Sequence, residues 1–430
     1  MEYILIKKAD VHEGKEVTIK GWLHNRRSSG KVLFLIIRDG SGYMQCVMSK
    51  NDVSPDVFEE ANALTQESSL IISGTLRKDE RAPGGYEMIA SHLEIIQKAQ
   101  PFPITKKEHG VDFLMDHRHL WLRSPRQRAA LKVRSDIISI CREFYEKHDF
   151  ILIDSPILTP TVCEGSSTLF ETEYFDSRAF LTQSGQLYLE PAIMAFGRTY
   201  CFGPTFRAEK TKTRRHLQEF WMLEPEVAFA DLEDDIRLAE QSIEYIVQQA
   251  LKRCQRELEV LGRDTSKLEK VKVPFPRLQY TEAIHMLQKK GSAIQWGEDF
   301  GAPDETLIAE GYDRPVIVHR FPLELKAFYM KTDPEDERLS LSVDIIAPEG
   351  YGEIIGGSQR EDDHDILLEK IKKHNLPVES FQWYLDIRKY GSVPHSGFGM
   401  GLERVVAWVC GVSHLRETIP YPRMLYRLYP

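Results

Sequence analysis

Arginines and carboxylates recur beside turn-rich or glycine-rich stretches at three points of the sequence, and those residue types suit the handling of phosphate groups. The first point is Ser155-Pro156-Ile157-Leu158-Thr159 through Glu164-Gly165. The second is Phe206-Arg207-Ala208-Glu209, then a basic loop with Lys210, Lys212, Arg214, Arg215 and His216, then Glu219-Phe220-Trp221-Met222-Leu223-Glu224. It reads as two strands joined by a cationic loop. The third is Gly397-Phe398-Gly399-Met400-Gly401-Leu402-Glu403-Arg404, a glycine-rich strand running into an apolar helix. Arginine's planar, permanently charged fork grips phosphate oxygens in pairs. The P-loop and a G-x-G-x-x-G after a strand are both missing, as are HExxH and GxSxG. Taken singly, each stretch has a plain structural explanation. A basic run is usually a solvated face, and Glu-Arg at a helix start is usually a surface ion pair. Their order and spacing in one chain carry the specificity.

Two kinds of element must position these residues. Residues 16–97 read as a small β-domain with strands EVTIKGWL, KVLFLIIRD, YMQCVMS, SSLIISGTLR and YEMIASHLEII, with turn signals at Gly30, Asp39-Gly40 and Gly84-Gly85. A helical segment from Val57 to Leu64 separates the third and fourth strands, which is the order of an OB-fold barrel. Residues 98–124, with Pro101 and Pro103, read as a hinge. A helix is expected from Pro125 to Lys147, capped by Ser124, with Ala130, Val133, Ile137, Cys141 and Phe144 on one face. A second is expected from Leu232 to Cys254, with Asp231 as its cap. Strands without regular βαβ alternation predict an α+β domain on a mostly antiparallel sheet.

The 430 residues are 42% hydrophobic and 28% charged, the balance of a soluble protein of two or three domains. No apolar run is long enough to span a bilayer, and the start shows no secretory signal. The six cysteines form no CxxC pair, which argues against zinc and disulfides and for a reducing cytosol. The net charge of −9 argues weakly against nucleic-acid binding, but it does not report on local patches such as His24-Asn25-Arg26-Arg27.

Together the three stretches resemble the three signature motifs of class II aminoacyl-tRNA synthetases. Gly21-Trp22, Arg27, Phe34, Arg38-Asp39-Gly40 and Gln45 resemble the anticodon-binding OB domain of the aspartyl/asparaginyl/lysyl subgroup. The stretches FRAEKTKTRRHLQEFWMLEPE, LKAFYM, YGEIIGGSQRE and WYLDIRKYGSVPHSGFGMGLERVV are similar to its asparaginyl members. The resemblance implies an OB-fold anticodon-binding domain over 1–98, a hinge over 99–124 and a class II catalytic domain over 125–430. It implies ATP as substrate and Mg²⁺ as cofactor. Arg207 would hold the α-phosphate and the substrate carboxylate, Arg215 and His216 the outer phosphates, and Arg404 the γ-phosphate. Phe220 would stack on adenine, with Glu209 beside the nucleotide and Asp344 and Glu353 holding the metal. Glu164 and Gln186 would bind the α-ammonium, and Arg27, Phe34 and Gln45 the central anticodon base. Implied partners are tRNA(Asn), asparagine and a second copy of the chain, paired through the segment around Pro156, with no DNA and no membrane.

The amino acid is argued from charge. Where aspartyl enzymes carry a lysine, this chain has Leu189, and where they end the second motif with Asp it has Glu224. A carboxylate at Glu224 accepts from the NH₂ of a carboxamide and repels aspartate; Arg360 donates to the amide oxygen. Sites built to bond a polar group discriminate by roughly 10⁴-fold or more. The stretch His319 to Leu325 departs from the usual asparaginyl wording after the proline. Three rivals stand beside this reading: a non-discriminating aspartyl-tRNA synthetase, a paralogue that makes asparagine from aspartate, and a tRNA-binding protein on an inactive synthetase scaffold.

Overall fold

The computed structural model describes residues 2–161, 163 and 168–430. The chain divides into two units, Met1–Leu114 and Met115–Pro430.

In the first unit five strands close a barrel: β1 (Glu16–Ser29), β2 (Val32–Arg38), β3 (Tyr43–Ser49), β4 (Ser69–Lys78) and β5 (Tyr86–Gln97). Their order is β1-β2-β3-β5-β4, and β1 pairs with β4 to complete the ring. Helix α1 (Pro55–Asn62) lies between β3 and β4, so the expected OB order holds. The period of two sorts each strand: Leu33, Leu35 and Ile37 are fully buried, and Phe34 between them is not.

In the second unit α2 (Pro125–Lys147) begins at the expected residue. Ser124 accepts from the Gln127 amide and Pro125 occupies the first turn, a cap worth about 1 kcal/mol. Six further elements frame the site: β6 (Ile151–Leu152), α3 (Gln186–Phe196), β7 (Arg198–Phe206), β8 (Glu219–Ala228), α4 (Leu232–Arg253) and β9 (Arg277–Gln279). They are followed by α5 (Ala302–Ala309), β10 (Val316–His319), β11 (Ser342–Ala347), β12 (Gly352–Gln359), β13 (His395–Gly401) and α6 (Leu402–Cys410). The sheet order is β9-β10-β11-β12-β13-β8-β7-β6. The interior pairs are antiparallel and the two outermost pairs, β9–β10 and β7–β6, are parallel. Asp231 and Asp234 form a reciprocal capping box at the start of α4.

Helices α2, α4 and α6 cover one face of this sheet, and their apolar stripes join Leu223, Val343, Ile345, Phe398 and Met400 in one core. The alternating residues Met222, Glu224, Asp344 and Gly399 line a cavity on the other side. A bulge interrupts the ladder between β11 and β12, where Ile345 pairs with Ile355 but Ile346 pairs with Glu353. Part of the stretch expected as a hinge is folded: it holds helices Val111–Asp116 and Arg118–Trp121. Arg118 is fully buried, and its guanidinium donates to Gln127 at 2.5 Å and to the Pro420 and Ile419 carbonyls at 2.8 and 2.9 Å.

Candidate active site and barrel surface

The first cavity, about 100 Å³, is lined by Arg207, Glu209, Arg215, His216, Phe220, Glu353 and Arg404 among others. Strands β7 and β8 pair from Arg198↔Val227 to Phe206↔Glu219. Arg207 and Phe220 therefore stand at the mouth of the hairpin, with the guanidinium 5.6 Å from the ring centroid. The two residues of the Glu-Arg pair in the third motif both line this cavity but differ in their contacts. Glu403 turns inward, meets Arg134 of α2 at 2.7 Å and accepts from the Trp221 amide at 3.0 Å. Arg404 turns into the cavity, where it donates to the Glu353 carbonyl. Burial first lowers the His216 pKa, and the cations Arg404, Arg207 and Arg215 add to that against the pull of Glu209. Arg215 is held by Glu305 at 2.8 Å and Thr306 at 3.2 Å, both on α5.

The second cavity, about 250 Å³, shares Arg207, Met222, Glu353 and Gly399 with the first and adds Ser184, Gln186, Glu224, Lys326, Asp344 and Arg360. Arg207 is thus the cation common to both. Glu224 accepts from the Gly185 amide at 2.8 Å, from the Ser184 hydroxyl, and from the Cys201 thiol at 3.3 Å. Arg360 is buried. Its Nη2 and Nε donate to the two oxygens of Glu226 at 2.5 and 3.3 Å, and its Nη1 donates to Ser358 at 2.8 Å. Gly397 makes room for this pair, since a Cβ there would stand 2.4 Å from the Glu226 carboxyl. Burial raises the Glu226 pKa and Arg360 opposes the rise; the same contact keeps Arg360 charged despite its own burial.

Gln186 donates its Nε2 to Glu190 at 3.1 Å, so its amide oxygen is the atom left to meet an ammonium group. Glu190 in turn takes Arg388 at 2.6 Å, His395 at 2.9 Å and the Tyr384 hydroxyl at 2.7 Å. Burial works to raise its pKa, but Arg388 and His395 overcome that and hold the carboxyl below the usual range.

Asp344 and Glu353 face a common point: a Cβ on Gly356 would lie 3.6 Å from Asp344 Oδ1 and 2.9 Å from Glu353 Oε1. Burial pushes the Asp344 carboxyl up, and Lys326 works against that push. Glu305, also in this cavity, is pushed up to about 7 by burial and then by Glu353. This surplus of carboxylate suits a hard cation. Among the described residues no three acidic, His or Cys side chains converge closely enough to hold a metal alone. The pair fits Mg²⁺, which keeps waters and substrate phosphates as its other ligands.

Every expected residue of the two cavities other than Glu164 lines one or both of them; Glu164 lies outside the described residues. Leu189 is fully buried on α3. Sequence reasoning missed Ser184, Glu226, Glu305 and Lys326. The Glu224-Pro225-Glu226 alternation was a usable signal, since residues two apart on a strand share a face.

On the barrel, Arg27 and Phe34 are cross-strand partners, with the guanidinium 4.3 Å from the ring centroid. Gln45 lies on the neighbouring strand, opposite Ile36. Its Nε2 donates to Glu87 at 2.9 Å, and Glu87 also takes Arg77 at 2.6 Å. Glu87, another residue missed, thereby turns the Gln45 amide oxygen away from itself.

An antiparallel sheet bearing these arginine and carboxylate stations, with an OB barrel in the same chain, defines a class II aminoacyl-tRNA synthetase. The chain belongs to the family of tRNA synthetases class II (D, K and N), which matches residues 110–425, and residues 17–96 match the OB-fold nucleic acid binding domain. Within that family it is similar to asparagine–tRNA ligases: it is 59% identical to that of Desulforamulus reducens and 57% identical to that of Pelotomaculum thermopropionicum, each over the whole of both chains. The crystal structure of asparaginyl-tRNA synthetase from Pyrococcus horikoshii complexed with asparaginyl-adenylate superposes with a TM-score of 0.97 at 45% identity, covering all of both chains. The Entamoeba histolytica enzyme in complex with asparaginyl-adenylate gives 0.89 at 33% identity, covering all of this chain and 99% of that one.

Proposed function

We infer that this chain is an ATP-dependent ligase that activates asparagine to asparaginyl-adenylate, releasing pyrophosphate, and then transfers asparagine to the 3′ end of tRNA(Asn). The observation that carries the choice of amino acid is the arrangement around Arg360. Glu226 matches its charge, so Arg360 offers donors to an amide oxygen without adding net positive charge to the cavity. Glu224 adds a carboxylate on the same side. A carboxamide satisfies both; a second carboxylate meets Glu224 as a like charge in a buried setting.

The activation step needs no proton removed from its nucleophile, a carboxylate. It needs the carboxylate and the α-phosphorus held together and their charge offset. Arg207, common to both cavities, does this. Arg215, His216 and Arg404 receive the outer phosphates, and Phe220 and Glu209 flank the base. Gln186 and Glu164 take the α-ammonium. Asp344 and Glu353 hold Mg²⁺, which supplies charge neutralisation at the phosphates when bound. The barrel reads the anticodon through Phe34, Arg27 and Gln45.

A homodimer is supported by exposed Ile151 and Leu152 on β6, the edge strand of the sheet, and by exposed Ile157 and Leu158 a few residues on. We place the protein in the cytosol: its six cysteines are all buried free thiols, as a reducing compartment allows. Among the described residues no helix is long and apolar enough to cross a membrane.

The deciding experiment is pyrophosphate exchange with purified protein, ATP and Mg²⁺ across the twenty amino acids. Exchange should be confined largely to asparagine. Equal turnover of aspartate would defeat the charge argument.

A further inference from the structure

Lys326 stands where the reading above places a metal ion. Its Nζ lies 3.0 and 2.8 Å from the two oxygens of Asp344 and 3.8 Å from the centroid of the buried Phe321 ring. The side chain is largely buried and lines the cavity that also holds Arg207 and Glu353. One ammonium therefore occupies both oxygens of a carboxylate expected to bind Mg²⁺. A divalent ion needs one of those oxygens and meets a positive charge already seated on it, in a site where charges interact strongly. If the ion arrived alone, the ammonium would lose both hydrogen bonds to Asp344 and be left to the more distant acids of the cavity. If it arrived with a polyphosphate, the phosphate oxygens would bind both the ion and the ammonium.

We propose that Lys326 is a built-in counter-ion that makes divalent-metal binding at Asp344 conditional on nucleotide, passing its hydrogen bonds from the carboxylate to a phosphate oxygen when metal and ATP enter together. This rests on the reading of Asp344 and Glu353 as the metal pair. It makes Lys326 a positioning residue whose effect on metal binding has the opposite sign to its effect on nucleotide binding. Reciprocity then requires that the nucleotide raise metal affinity by the same factor that metal raises nucleotide affinity, and that this factor depend on Lys326.

The test uses the full-length protein and Mn²⁺, an oxygen-seeking stand-in for Mg²⁺ that is counted directly by electron paramagnetic resonance. Without nucleotide, Lys326→Met should bind Mn²⁺ at least about tenfold more tightly than wild type, because the competing charge is gone. Lys326→Arg, which keeps the charge, should not. With a non-hydrolysable ATP analogue, the gain in Mn²⁺ affinity should be smaller in Lys326→Met than in wild type. Adding Asp344→Asn to Lys326→Met should erase the tighter binding. Unchanged or weaker Mn²⁺ binding in Lys326→Met, or tight binding that survives Asp344→Asn, overturns the proposal. If Lys326→Met does not fold, wild-type crystals with Mn²⁺ and the analogue decide: Lys326 must have left Asp344, and an ion bound elsewhere or beside an intact Lys326–Asp344 pair overturns it. None of these readouts requires asparagine or tRNA. Failure to exchange pyrophosphate with asparagine would instead overturn the ligase reading and leave the Mn²⁺ result standing.

Discussion

Glu226 and Arg360 form a buried two-point pair behind the amino-acid cavity, with Nη2–Oε1 at 2.5 Å and Nε–Oε2 at 3.3 Å. The pair fixes the plane of the guanidinium and offsets its charge. The cavity thus has a donor suited to an amide rather than a cation suited to a carboxylate.

Removing that offset should loosen the choice of substrate. Glu226→Gln leaves the Arg360 charge uncompensated near the substrate side chain. An opposite charge within about 4–6 Å of a carboxylate shifts its pKa by about 1–3 units, or 10- to 1000-fold. The ratio of pyrophosphate exchange with aspartate to that with asparagine should rise within this range, while Glu226→Asp should stay near wild type. An unchanged ratio in Glu226→Gln would remove the pair from the specificity argument. Glu224→Gln should also erode the preference, because an amide offers hydrogen bonds of either sense.

The third motif predicts two different phenotypes from adjacent residues. Arg404→Ala should raise KM for ATP or lower kcat with little loss of stability; a charge-assisted hydrogen bond is worth about 1.5–3 kcal/mol, roughly 10- to 150-fold. Glu403→Ala breaks the buried contact with Arg134 and should cost about 3–5 kcal/mol of stability. Denaturant midpoints and exchange kinetics on the two variants separate the roles. Wild-type kinetics in Arg404→Ala would be incompatible with a phosphate contact.

Glu305 gives the protein without substrate a pH signature. Its carboxyl is raised from an ordinary 4.5 to about 7, by burial first and by Glu353 second. A raised acid holds its proton in the folded state after the unfolded chain has released it. Its contribution to stability is complete below about 4.5 and is lost as pH rises through about 7. The melting temperature of wild type should therefore fall more between about pH 4 and about pH 8, on either side of this window, than that of Glu305→Gln. Parallel curves for the two proteins would contradict the assignment.

Phe34→Ala should weaken tRNA binding by about 1–3 kcal/mol through lost stacking. Exchange without tRNA should stay near wild type. The Arg27 contact at 4.3 Å already shows the ring accepting a flat partner on one face. Normal tRNA affinity in folded Phe34→Ala would rule out the stacking role.

Much of this architecture was legible in the sequence because it is periodic. The stripe from Ala130 to Phe144 and the alternation around Phe34 needed no tertiary information, and both helix starts followed from Ser124 and Asp231 as caps. The stations at Arg207, Phe220 and Arg404 were legible through their motifs. What was hidden are the partners that orient them. Glu226, Lys326 and Glu305 meet Arg360, Asp344 and Arg215 across 134, 18 and 90 residues of chain. The alternation Glu224-Pro225-Glu226 was a local signal for Glu226; Lys326 and Glu305 had none. Part of the stretch 99–124 folded for a similar reason: Arg118 finds its carbonyl partners at Ile419 and Pro420.

The bulge between β11 and β12 turns the metal chemistry into a question of odd and even. Opposite an unbroken ladder, Ile346 would face Ile354, and Glu353 would share the side of Ile355, among the apolar residues. The inserted residue lets Ile354 and Ile355 both enter the core and returns Glu353 to the side of Asp344. Parity along this strand is therefore a heritable property of the active site. Deleting Ile354 would close the ladder with Glu353 still opposite Ile346, on the side of Asp344, and would remove one core side chain. That single-residue deletion would separate the bulge itself from the placement of Glu353, which no substitution in this strand can do.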